Sequence, residues 1–206
     1  MLQAVDLECV RGRRRLFHDL SFEARAGELV WVTGPNGSGK TSLLRIICTL
    51  LPAESGRVLW RGGDTRELGE SFRAEMVYLG HAPAVKDDLT ALENLRFSLA
   101  QHGIVADEDA LAAGLAVFGL QGREDLAARA LSQGQRRRVV LARLAFSGAQ
   151  SLWILDEPLT ALDAEAVALV RERIGEHLGQ GGVVLLTSHQ DLEFGELRMQ
   201  HLQLGG

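Results

Sequence analysis

LVWVTGPNGSGKT, residues 29–41, passes from an uncharged β-rich run straight into a glycine-rich loop. Five consecutive residues without a charge read as a strand buried on both faces, the habit of parallel sheets. The loop that follows, Gly34-Pro35-Asn36-Gly37-Ser38-Gly39-Lys40-Thr41, fills the G-x-x-x-x-G-K-[ST] pattern completely. Glycines let backbone N–H groups curl around a phosphate without side-chain clash. A helix is expected from Thr41 to Leu51, stopped by Pro52, so that its N-terminus adds a favourable field for an anion. Lys40 is the candidate partner of the β- and γ-phosphates, Thr41 the candidate hydroxyl for Mg²⁺, and Ser42 joins the same phosphate-binding set.

Two further uncharged runs carry polar groups at their ends. SLWIL (151–155) leads into Asp156-Glu157-Pro158, and VVLLT (183–187) leads into Ser188-His189. Ligands of open α/β sheets bind at the carboxyl ends of parallel strands. Asp156 is therefore the candidate Mg²⁺ holder and Glu157 the candidate general base for an attacking water. His189 is the candidate sensor of the γ-phosphate. His18, His102, His177 and His201 carry the plainer expectation of structural or exposed histidines.

Further out, residues 2–8 and 17–24 alternate as half-buried strands around a charged hairpin tip at 11–15, RGRRR. ESGRVLWRGGD (54–64) reads as turn, strand, turn, and EMVYLG (75–80) as another strand. Residues 88–128 are rich in Ala and Leu at helical spacing, which predicts an inserted helical lobe. Helices are expected at Gln135–Phe146 and Ala164–Leu178. Strands alternating with helices imply an α/β fold with a mostly parallel sheet.

Composition excludes several classes. The 206 residues are 24% charged and 46% hydrophobic, with a net charge of −5. That is a folded-protein balance without the basic field that nucleic acid requires. The two cysteines, Cys9 and Cys48, lack metal-ligand spacing and read as buried thiols. No run approaches the roughly 20 apolar residues of a membrane span; Leu43–Leu51 is short and carries Arg45. The opening MLQAVDLECVRG holds Asp6 and Glu8 where a signal peptide is apolar, so the chain is expected on the cytoplasmic side, reaching a membrane only through a partner or its surface.

Leu131-Ser132-Gln133-Gly134-Gln135, ahead of a basic helix, offers a second anion cradle. The ordered set GPNGSGKT, LSQGQ, LWILDEP, Ala161-Leu162-Asp163 and His189 resembles the ATP-binding subunit of an ABC transporter over essentially the whole chain. The resemblance implies a P-loop NTPase of ABC type: an N-terminal antiparallel β part and a mostly parallel sheet at about 1–80 and 132–206, with a helical lobe at about 82–131, forming one nucleotide-binding domain over 1–206. It implies ATP and Mg²⁺ as ligands. It further implies a head-to-tail homodimer in which Ser132–Gln135 of one copy faces the phosphate loop of the other, with Asp163 in the loop joining the two sites. Three positions depart from the family pattern. Gln133 stands where glycine is usual. His81, followed by Ala82, stands near the column of a glutamine, leaving His81 as a further candidate metal contact. Arg11 stands where an aromatic stacks on adenine, a role its guanidinium plane can take, although a solvated charge in the RGRRR run remains the alternative.

The wording LECVRGRRRLFHDLSF, YLGHAPAVKDDLTALENLRF and LSQGQRRRVVLARL is similar to ATP-binding subunits of the bacterial cytochrome c maturation system, often called haem exporters. This implies a peripheral subunit on the inner membrane, small integral-membrane partners, and haem handled through them; no C-x-x-C-H occurs here. Around residues 82–100, Leu92, Leu95, Phe97 and Leu99 are either lobe core or a docking groove. Another ABC exporter, or a subunit that clamps ATP without hydrolysing it, are the alternatives. A nucleic-acid ABC protein would need a heptad insertion or zinc cysteines, and a G protein an NKxD motif.

Overall fold

The computed structural model describes residues 1–82, 84–188 and 197–205. In chain order these form β1 (Leu2–Arg11), β2 (Arg14–Ala24), β3 (Glu28–Thr33), α1 (Lys40–Ile47), β4 (Ser55–Trp60), β5 (Gly63–Asp64), α2 (Thr65–Leu68), α3 (Glu70–Ala74), β6 (Met76–Leu79), α4 (Ala91–Ala100), α5 (Glu108–Val117), α6 (Gln133–Leu141), β7 (Leu152–Asp156), α7 (Ala164–Gly179), β8 (Val183–Thr187) and β9 (Arg198–Gln203). Short 3₁₀ turns occupy Ala128–Ala130 and Ala142–Phe146.

Two sheets follow from the patterning. The alternating strands make an antiparallel sheet of order β2-β1-β4-β5, while the uncharged runs supply the centre of a second sheet, β6-β7-β8-β3-β9. In the second sheet β7, β8, β3 and β9 run parallel. β7 and β8 are buried at every position, as strands covered on both faces must be. Because β3 and β7 are parallel and only β8 separates them, the glycine loop and Asp156 leave the sheet by the same edge.

The chain divides into two compact units: Met1–Tyr78 with Gln150–Glu157 and Glu176–Gly206, and Leu79–Ala149 with Pro158–Gly175. The first unit buries one apolar core, with Leu43, Leu44 and Ile47 of α1 beside Ile154 and Leu185 of the parallel strands. In the second unit α4, α5 and α6 surround Leu95, Leu111, Leu115 and Phe118, all almost fully buried. The expected helical lobe lies inside this second unit, which also takes in the α6 region and most of α7. Helix starts are capped locally. Thr90 and Glu93 form a reciprocal capping box at α4, and the Asp107 side chain accepts from the Ala110 N–H at α5.

Three sequence expectations need correction, and one strand is additional to them. The helix expected to reach Leu51 ends at Ile47, and Thr49 takes a left-handed φ of 60° where the chain turns out. The helix expected at Gln135 begins two residues earlier and changes to a 3₁₀ turn at Ala142. The hairpin tip is confined to residues 12–13, since β1 and β2 extend through Arg11 and from Arg14. β9 is that addition: its residues RMQHLQ, four of them polar, are mostly exposed, and main-chain pairing with β3 at six register positions makes it a strand.

Candidate functional site

The glycine loop holds its shape through backbone angles and, at Gly34 and Gly39, through lack of space. Gly34, Gly37 and Gly39 take φ values of 143°, 78° and 105°, conformations that side chains rarely adopt. A Cβ at Gly34 would sit 2.4 Å from the Leu204 carbonyl oxygen, and one at Gly39 would press on Leu16 and Phe17 at 3.1–3.2 Å. The chain after β9 thus forms one wall of the loop, with the Leu204 N–H bonded to the Thr33 carbonyl at 2.8 Å. Sequence patterning gave no hint of that wall.

Lys40 is largely buried and donates from Nζ to the Gly34 carbonyl at 2.7 Å and to that of Pro35 at 3.4 Å. The loop is therefore wrapped around an ammonium group. Among the described residues the buried Ser38 Oγ has no hydrogen-bond partner, and the α1 N-terminus has neither a side-chain cap nor an acidic residue in its first turn. An unsatisfied hydroxyl, uncapped N–H groups and an enclosed ammonium make a cradle suited to a phosphate chain. Ser42 turns partly inward, its hydroxyl in hydrogen-bonding reach of the Cys9 thiol, whose pKa is raised by burial.

At the end of β7, Asp156 is almost fully buried and Glu157 largely so. Glu157 has a φ of 52°. A non-glycine residue held there costs about 1–3 kcal/mol and persists only where its surroundings over-determine it. Here the Glu157 N–H donates to Thr187 Oγ1 at 2.8 Å, and that hydroxyl donates to Asp156 Oδ1 at 2.8 Å. The parallel register sets Asp156 opposite Thr187 and so builds the pair. Burial first, and the Asp156 carboxylate second, push the nearby Cys48 thiol far up, so it stays protonated and inert. No cluster of three His, Cys, Asp or Glu residues able to hold a metal occurs among the described residues. The Asp156 carboxylate with the Thr41 hydroxyl would be a sparse donor set, which suits Mg²⁺, an ion that keeps waters and takes phosphate oxygens from its substrate.

In the second unit, Ser132 caps α6. Its Oγ accepts from the Gln135 N–H at 3.2 Å, and its own N–H donates to Gln135 Oε1 at 3.0 Å. Gln133 opens the helix as an exposed side chain. Gly134 is required by packing, since a Cβ there would meet the Ala161 carbonyl oxygen at 2.6 Å. Ala161 is itself left-handed, with φ 64°. Asp163 accepts from the Ala166 N–H at 2.9 Å through Oδ1, starting α7, and pairs with Arg138 through Oδ2. Ser132, Gly134, Arg138 and Asp163, with Arg123, line one cavity of about 360 Å³.

The basic run Arg136–Arg138 is not one charged face. Arg136 pairs with Asp87 at 2.8 Å and Arg138 with Asp163, while Arg137 is buried. Arg137 donates to the carbonyls of Gly80 at 3.0 Å, His81 at 3.3 Å and Pro158 at 3.4 Å. The His81 side chain is exposed. Arg11 is exposed at the end of β1; it is the neighbouring Arg14 whose guanidinium comes within 3.7 Å of a Cβ built on Gly37. Leu92, Leu95 and Leu99 belong to the interior, whereas Phe97 is 41% exposed with Lys86 Nζ 3.9 Å above its ring. His189 lies outside the described residues. The other histidines have structural partners: His18 with Asp19, His102 with the Ser98 carbonyl, His201 with Thr33 and His177 with Trp153.

The ABC transporter family profile matches residues 17–160. A "Cytochrome c biogenesis ATP-binding export protein CcmA" of Nitrosomonas europaea is 54% identical over 99% of this chain and 95% of that protein. A Vibrio cholerae protein of the same name is 47% identical over 100% and 99%. Among solved structures, the dimeric post-hydrolysis state of an ATP-binding cassette bound to ADP and Pi superposes with a TM-score of 0.83. It is 23% identical over 99% of this chain and 96% of that one, and that likeness bears on the fold.

Proposed function

The chain belongs to the ABC transporter family of ATP-binding proteins, and from that premise we propose that it is the ATP-hydrolysing subunit of a membrane complex for cytochrome c maturation. Its relatives at 54% and 47% identity, both cytochrome c biogenesis ATP-binding export proteins by name, support the assignment to that pathway. The observation that carries the site is the shared sheet edge: the loop wrapped around Lys40 and the Asp156-Glu157 pair leave β3 and β7 on the same side.

Each residue then has a task. Lys40 exchanges the Gly34 and Pro35 carbonyls for β- and γ-phosphate oxygens, and the N–H groups of Gly37–Thr41 with the Ser38 hydroxyl take the remaining phosphate oxygens. Thr41 and Asp156 would hold Mg²⁺, which when bound draws charge from the phosphates. The Glu157 carboxylate accepts a proton from the water whose oxygen attacks the γ-phosphorus; the bond to the β–γ bridging oxygen breaks and ADP leaves with that oxygen. His189, outside the described residues, takes the role of γ-phosphate sensor on its sequence position alone.

The working form is a head-to-tail homodimer, in which Ser132–Gln135 of a second copy covers each nucleotide and Asp163 links the two sites. ATP binds the closed pair better than the open one and so shifts that equilibrium, and hydrolysis releases it. The solved cassette of the same fold is itself dimeric. No helix among the described residues is long and apolar enough to cross a membrane. In this reading small integral-membrane subunits attach the chain to the cytoplasmic face of the inner membrane and also handle the haem, and Phe97 under Lys86 is an exposed apolar group of the 82–100 region for that contact.

Three measurements test the reading. Glu157→Gln keeps ATP binding and lowers turnover by about 100-fold or more; full turnover removes Glu157 as the base. Ser132→Arg and Lys40→Ala homodimers are both inactive, and mixing them restores activity at the one site that receives an intact loop and an intact signature. No recovery on mixing refutes the shared site. Tagged chain drawn from membranes should bring down small membrane proteins with a haem absorbance band; haem-free partners would reassign the complex to another exporter.

A further inference from the structure

Thr187 lies outside every motif that assigns a function to this chain, yet its hydroxyl joins the two acidic residues at the reaction centre. We propose that Thr187 is a positioning residue for hydrolysis, clamping the Asp156 carboxylate and the Glu157 main chain into one geometry. The inference rests on the reading of Asp156 as metal holder and Glu157 as base.

A threonine hydroxyl has one proton to give. Here it goes to Asp156 Oδ1, and the oxygen accepts the Glu157 N–H, both at 2.8 Å. Thr187 is fully buried, so water does not compete for either bond. Its branched Cβ restricts χ1, and the β7–β8 register fixes its height on the sheet opposite Asp156. One rigid group therefore orients the carboxylate that would face the metal and holds the N–H of a left-handed residue, φ 52°, whose carboxylate would face the water. Successive strand residues point to opposite faces. The left-handed turn at Glu157 breaks that alternation, and the Thr187 bond ties the turn to the neighbouring strand.

A merely structural hydroxyl, present to satisfy buried neighbours, would affect stability and leave the chemistry of the folded enzyme alone. Thr187→Ser and Thr187→Ala both lack the methyl group, so their difference isolates the hydroxyl even if each is less stable than wild type. In the full chain, Thr187→Ala should lose about 10–100-fold in kcat with KM for ATP little changed, and require more Mg²⁺ for half-maximal rate. Thr187→Ser should stay within about threefold of wild type. Amide exchange at Glu157 supplies a readout that needs no turnover: it should rise by about tenfold or more in Thr187→Ala and stay slow in Thr187→Ser. Equal kcat in the two variants, or an unchanged Glu157 amide in Thr187→Ala, overturns the proposal. Failure of the base assignment shows separately, as turnover surviving Glu157→Gln.

Discussion

His177 makes the fold sensitive to mild acid. Its ring stacks on Trp153, with centroids 4.0 Å apart and planes 7° from parallel, and it is 7% exposed. Burial lowers its pKa from 6.5 to about 4, with backbone hydrogen bonds at Val183 and Ser151 opposing the shift only in part. Above pH 6.5 the imidazole is neutral in folded and unfolded chains alike and contributes nothing to pH dependence. Below it the unfolded chain takes up a proton that the folded chain refuses. Stability therefore falls as the pH drops from 6.5 towards 4, where the folded form also protonates. A window of about 2.5 units at about 1.4 kcal/mol per unit amounts to about 3 kcal/mol. His177→Gln is neutral throughout and loses the stacking, so it should be less stable at neutral pH. Urea unfolding of both proteins, followed by tryptophan fluorescence from about pH 8 to about pH 4.5, measures the difference. The wild-type advantage should shrink or reverse across that range. A difference constant to within about 0.5 kcal/mol would show that the ring is not held neutral by burial.

Gly34→Ala should weaken binding of a fluorescent ATP analogue by about 100-fold, because the new methyl group would meet the Leu204 carbonyl at 2.4 Å and Ser38 Oγ at 2.7 Å; undiminished affinity would mean that the loop has room to spare. Ser132→Ala removes the α6 capping box and should lower unfolding free energy by about 1 kcal/mol. Ser132→Asp should keep the cap but block ATP-dependent dimerisation in the Glu157→Gln background, read by size exclusion, since a carboxylate would face phosphate; dimers of normal affinity would separate Ser132 from the nucleotide.

The parts of the fold legible in the sequence were those that apolar burial dictates. β7 and β8 needed uncharged runs, and the phosphate loop needed glycines at backbone angles that other residues rarely adopt. β9 was illegible for the converse reason. It buries almost no side chain and exists through main-chain pairing, which any sequence supplies, although Leu204 and Gly205 just beyond it close around Gly34 and Ser38. The left-handed backbone of Glu157 was illegible too. Glutamate carries no propensity for it, and the hydrogen bond that ties it down comes from a strand 30 residues away in sequence.

Arg136, Arg137 and Arg138 show how far charge counting falls short of a site. As letters they form one basic patch on one helix, but successive helical residues point about 100° apart. Two of the three reach carboxylates, and the middle one is driven inward. A buried guanidinium has five donors and no water to satisfy them, so it organises whatever carbonyls surround it. Those carbonyls belong to Gly80 and His81 on one side and to Pro158, the residue after Glu157, on the other. The main chain of the 80–81 segment is thus fixed by Arg137, whatever side chain position 81 carries. The departure from glutamine at His81 changes the group presented to solvent and leaves the path of the loop intact, because the bonds that hold this loop are made to backbone oxygens.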